Sequence, residues 1–195
     1  MIASLNILTR SSTLPLTLAQ AKDHLRVDHD ADDSSITAML ESAVDMIERK
    51  IGRSLRSTTA TLFLSEFPAG DEPIYVPRPP LTSVTLIVYT NTSGNSVTLS
   101  AGLYEAITAA VPGEIIPAAG QVWPVARDRR GSVQVTFAAG NAAAVPASIL
   151  DAIRLQLDLS YHDHPWLESR RISERVEALI AGHVLRDRNL IGIST

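Results

Sequence analysis

Cysteine is absent from the 195-residue sequence. That excludes disulfides, thiolate nucleophiles and cysteine-ligated zinc. No apolar run approaches the ~18 residues that read as a membrane-spanning helix, so no membrane span is expected. Met1 to Thr13 lacks a charged leader followed by an apolar stretch, so no secretory signal is expected either. A lysine- and arginine-rich face is missing too. Seventeen basic residues are set against 21 acidic ones, for a net charge of −4. Proteins that grip nucleic acid concentrate basic charge, because phosphate neutralisation dominates their affinity. DNA, if met at all, is expected to be let past and not held. Catalytic signatures are equally scarce. There is no G-x-S-x-G elbow, no glycine-rich phosphate loop leading into Lys–Ser or Lys–Thr, and no H-E-x-x-H. No cofactor is expected, and an enzyme is the remote reading.

What is present is a globular composition, with 45% hydrophobic and 19% charged residues. Thr17 with Gln20 three residues later forms a capping box that opens a helix carrying Leu18, Ala21 and Leu25. After Asp28–Asp33 a longer helix follows. Ile36, Met39, Leu40, Ala43, Val44, Ile47 and Ile51 make one apolar stripe, and Gly52 suits a left-handed stop. Burying that stripe contributes roughly 10–15 kcal/mol before entropy is subtracted. From Thr58 the period changes to two, and 58–67 reads as a strand. Short strands are expected at 74–76, at 84–90 and 97–99 around a turn at Gly94, near Tyr104, at 115–116 and 121–125, and at 132–137. Pro77, Pro79 and Pro80 rule out a central strand there. Pro146 restarts helix, with Ile149, Leu150, Ile153, Leu157 and Tyr161 as its stripe, and Pro165 ends it.

The expected fold class is α+β: a small helical bundle (16–57 plus 140–164), an inserted all-β unit (58–139) and a C-terminal extension (165–195) with a short helix from about Ser173.

Three clusters invite chemistry. Asp28, Asp30 and Asp32 alternate like the start of a calcium loop, but Asp33 stands where glycine is required and Met39 where a glutamate is required. Capping of the long helix by Asp32, Asp33 or Ser34 is the expected role. His162, Asp163 and His164 resemble part of a metal site, for which His24 and His29 are further ligands by type. If the helix continues, His162 and His164 point to different faces, so no metal is expected and a solvated helix end is. Arg127, Asp128, Arg129 and Arg130 read as an exposed hairpin tip. Trp123 is expected in a core or interface, and Trp166 at an interface.

Leu16–Asp30 with Asp32-Asp33 and the long helix to Ile51-Gly52-Arg53 resembles the start of phage head–tail connector (adaptor) proteins. So do Pro77-Arg78-Pro79-Pro80-Leu81, Ser83-Val84, Trp123-Pro124, Val133–Gly140 and Val145-Pro146 before Ile149, which match the longer branch with a β insertion. The resemblance runs from about Leu16 to Tyr161, and weakly into Val176–Ile180. It implies a virion protein of a phage or a phage-like gene transfer agent, made in the bacterial cytoplasm and placed in the particle's neck. It implies a homo-oligomeric ring, commonly a dodecamer, that contacts a portal protein and a tail-terminator or neck protein and extends the DNA conduit. A tail-completion protein on the connector's far side is the alternative, and a metal-dependent hydrolase the remote one. The partner-binding residues expected in the tail are Trp166, Leu167, Val176, Leu179, Ile180, Val184, Leu185, Leu190 and Ile191. Their apolar character is the reason.

Overall fold

The computed structural model describes residues 3–185. The elements run β1 (Ala3–Arg10), α1 (Leu18–Leu25), α2 (Asp33–Ile51), β2 (Thr58–Leu64), β3 (Ile74–Val76), β4 (Leu81–Thr90), β5 (Ser96–Thr98), β6 (Tyr104–Ile107), β7 (Gly113–Pro117), β8 (Val133–Ala139), α3 (Ala147–Tyr161) and α4 (Trp166–Ile180). The fold class is α+β, with four α-helices and antiparallel sheets among the described residues. The described chain divides into a helical unit, 12–56 with 141–185, and a β unit, 3–11 with 57–140.

The helical unit grows from its capping signals. Thr17 Oγ1 accepts the Gln20 N–H, and the Gln20 side chain accepts the Thr17 N–H, so the expected capping box is formed. The stripe of α2 faces inward: Ile36, Leu40, Ala43, Val44, Ile47 and Ile51 are buried, and Met39 is partly so. Gly52 adopts φ 69° and donates its N–H to Glu48 O, closing α2. The core is completed by Ile149, Ala152, Ile153 and Leu157 of α3 and by Val176 and Ile180 of α4. Glu48 is buried among them. One of its carboxylate oxygens accepts the N–H groups of Leu55 and Arg56, at 2.6 and 3.2 Å. That satisfies two amides which would otherwise be stranded where the chain leaves the helix.

The β unit is built on β8. A five-stranded sheet runs β1-β2-β8-β4-β5, and a three-stranded sheet runs β3-β7-β6. Alternate residues of β8 (Val133, Val135, Phe137 and Ala139) are buried. Beside them lie Ala60, Leu62 and Leu64 of β2 and Ile87 of β4. Phe67 and Trp123 stack at 5.1 Å, and Trp123 donates its indole N–H to Glu72 O, so this tryptophan is core with its polar edge satisfied. Gly113 sits where β7 passes Leu81. A Cβ there would lie 2.4 Å from Leu81 Cβ, which no side chain tolerates.

The structure departs from the sequence expectations at several places. Residues Ala3–Arg10 form a strand that no strong alternation announces, since only Leu5 and Ile7 are half-buried on its inner face. Residues 121–125 form no strand, and only the Asn91–Ala126 bridge marks that stretch. Helix α4 begins at Trp166, straight after Pro165, and not near Ser173. Pro165 plays the part that Pro146 plays for α3, so both helices open behind a proline.

Candidate functional site

The acidic run before α2 is dispersed by its partners. Lys22 Nζ lies 2.7 Å from both Asp30 and Asp33. Asp32 is the N-cap residue of α2 but makes no side-chain cap bond; its carboxylate accepts the Tyr161 hydroxyl at 2.8 Å. The Lys22 ammonium holds the Asp30 carboxyl below its ordinary range, while its hydrogen bonds to Asp30 and Asp33 raise Lys22 itself. Donation to Asp32 raises the Tyr161 phenol. Burial lowers Arg53, whose Nε–H donates to His183 O. These are ties between α1, α2, α3 and the segment after α4, not ligands gathered around one centre.

The nine apolar residues expected to meet a partner fall into four groups. Val176 and Ile180 are buried and Leu179 is partly buried, because α4 packs on α3. They belong to this chain's own core, which corrects the expectation of an unpartnered tail. Leu185 is half-buried, and its N–H donates to Ile51 O. Trp166, Leu167 and Val184 are exposed, at 74%, 52% and 39%. Leu190 and Ile191 lie outside the described residues.

Trp166 and Leu167 open α4, and the Arg170 guanidinium sits 5.9 Å from the Trp166 ring centroid. Beside them Leu155, Pro165, Leu167 and Ile172 line a groove whose polar wall is Glu168, Arg171 and Arg175. An exposed tryptophan with an arginine over its ring thus stands beside a groove with apolar and charged walls. In the β unit, Arg127, Arg129 and Arg130 are exposed around a shallow hollow with Thr90, Gly94 and Ser132. His162 and His164 converge on Asp158, which the sequence did not lead us to expect.

Residues 15–101 match the family model of phage gp6-like head-tail connector proteins. Comparison with curated proteins gave no match. Three solved structures share the fold over nearly the whole chain. One is in the neck of an empty gene transfer agent (GTA) particle computed with C6 symmetry (25% identity, TM-score 0.71, covering 97% of this chain and 99% of that one). Another is in the neck of a native GTA particle computed with C12 symmetry (26% identity, TM-score 0.69, covering 97% and 99%). A third, in the virion of a native GTA particle, matches in fold at 24% identity and TM-score 0.70, covering 96% and 98%. Residues 15–101 are thus similar to the phage gp6-like head-tail connector family, and the fold is shared with chains of particle necks.

Proposed function

We propose that this chain is a head–tail connector subunit, one of a ring of identical copies in the neck of a phage-like particle. The observation that carries the reading is the end-to-end likeness to chains of GTA necks, joined to the connector-family match. Connectors are structural, so the role is non-enzymatic. The symmetric necks favour a homo-oligomeric ring, and twelve copies is the number we adopt. The portal protein is the partner on one side and a tail-terminator or neck protein on the other. A net charge of −4 suits a conduit that must not trap passing DNA. Trp166 and Leu167 are the contact residues we assign to an interface of the ring or the portal, because they are the large apolar side chains that α4 leaves exposed.

The test is the native mass of the purified chain, alone and mixed with its portal. A ring-sized species, or a monomer that assembles on the portal, supports the reading. A monomer that ignores the portal overturns it, and binding to a tail tube alone redirects it to tail completion. Trp166→Ala should weaken association about 30-fold or more, the scale of a hot-spot residue, with helical content unchanged.

A further inference from the structure

We propose that Asp158, His162 and His164 form a binding site for a divalent transition cation of the zinc class, at the corner between α3 and α4. The idea is independent of the connector reading. Asp158 lies in the last turn of α3, and His162 follows it by one turn, so both side chains share a face. The helix stops at Tyr161, and His162 is already extended at φ −96°, ψ 145°. The chain therefore turns, and His164 approaches Asp158 from the other side. His162 Nδ1 lies 2.7 Å from Asp158 Oδ1, and His164 Nε2 lies 3.0 Å from Oδ2. One ligand atom from each residue falls within 4.8 Å of the others.

Binding an ion would draw these atoms together by up to about 1.5 Å, a movement within reach of side-chain rotation. With bonds of about 2.0–2.2 Å, tetrahedral ligands sit roughly 3.3 Å apart. Two imidazoles and one carboxylate select zinc, nickel or copper over magnesium and calcium, which prefer oxygen alone. Three protein ligands leave a position for water. Burial is graded: the side chains of His164, Asp158 and His162 are 15%, 22% and 43% exposed. His162 therefore marks the entry side.

The surroundings fix the ligands in place. Ser169 donates its hydroxyl to His164 O across the start of α4. Glu168 Oε2 lies 3.9 Å from Nδ1, the other ring nitrogen of His164, beyond hydrogen-bond distance but near enough to become its outer partner when a metal binds. The competing account is that Asp158 only accepts two imidazole N–H bonds and tidies a helix end. Against metal binding from elsewhere in the unit, His183 is committed to Ser148 at 2.8 Å. A bound ion would tie the end of α3 to the link before α4, and so fix the helix that carries Trp166.

The test uses the full chain without a histidine tag, stripped by chelator and titrated with cobalt and with zinc. We expect one ion per chain, visible cobalt d–d absorption displaced by zinc, and a melting temperature raised by about 5 °C at zinc 100-fold above Kd. His162→Gln with His164→Gln should lose more than about tenfold in affinity, and His183→Gln should lose nothing. Histidine 15N spectra of the unaltered chain provide a reading that needs no variant: zinc should engage Nδ1 of His162 and Nε2 of His164. Absence of saturable binding, or ring shifts confined to other histidines, would overturn the site.

Discussion

Each of the two units is held together internally, and by different means. In the helical unit, side chains join segments far apart in the chain. Tyr161 reaches Asp32, Lys50 pairs with Glu177, and Arg53 donates to His183 O. In the β unit, the backbone does this work: β8 pairs with β2 on one side and β4 on the other, each antiparallel. A side-chain tie depends on residue identity and can be removed by one substitution. A ladder depends on register and survives most single changes, so its weak points are the core side chains beneath it.

The largest expected effect tests whether this difference marks separate cooperative units. Phe137 is fully buried on β8, and Phe137→Ala should cost about 3–5 kcal/mol. Ile153, equally buried on α3, should cost about 2–5 kcal/mol when cut to Ala. Denaturation followed by Trp123 emission, in a Trp166→Phe background, reports the β unit. Far-UV dichroism at helical wavelengths reports the other. We expect Phe137→Ala to shift mainly the first and Ile153→Ala mainly the second. Equal shifts of both signals in both variants would break the comparison and make the chain one cooperative domain.

A middle-sized effect sharpens it. Glu48→Ala strands the amides of Leu55 and Arg56, so we expect a loss of about 2–3 kcal/mol. Glu48→Gln keeps an acceptor oxygen and should lose less. Equal losses in urea titrations of the two variants would mean that the negative charge, not the accepted hydrogen bonds, matters.

The smallest effect is the Lys22–Asp30 tie. The Asp30 carboxyl is held below its ordinary value by Lys22, so its contribution is present above about pH 4 and fades as pH falls. Lys22 is raised, so its share is present below its ordinary value and fades as pH climbs beyond it. Asp30 is solvent-exposed, which keeps the effect small. The melting temperatures of wild type and Asp30→Asn should differ slightly at pH 6 and converge below about pH 4. A difference that persists in acid would rule out this ion pair as its origin.

Helical features were legible because they are local. The Thr17–Gln20 box, the α2 stripe and Gly52 each announce themselves within a few residues. Strands β2 and β8 were legible for the same reason, through their alternation. Strand β1 was not. Its inward residues are only Leu5 and Ile7, and its partner β2 lies beyond two helices. Residues 121–125 look strand-like, yet Trp123 is buried by stacking on Phe67 and needs no ladder. Within the candidate site, Trp166 could be singled out as a lone large aromatic. Val176 and Ile180 could not be assigned, since an apolar stripe reads alike whether it meets its own core or a partner. Sequence leaves the histidine cluster open, because His162 and His164 point to different faces only if the helix continues, and α3 stops at Tyr161.

The helical unit is interrupted by the β unit, and this has a consequence during synthesis. The ribosome makes α2 long before α3, with residues 52–146 between them. At about 5–20 residues per second, the finished stripe of α2 waits roughly 5–20 s for its covering helices. A nascent chain in that interval carries an uncovered apolar face, the kind of surface that chaperones hold and that overexpression turns into aggregate.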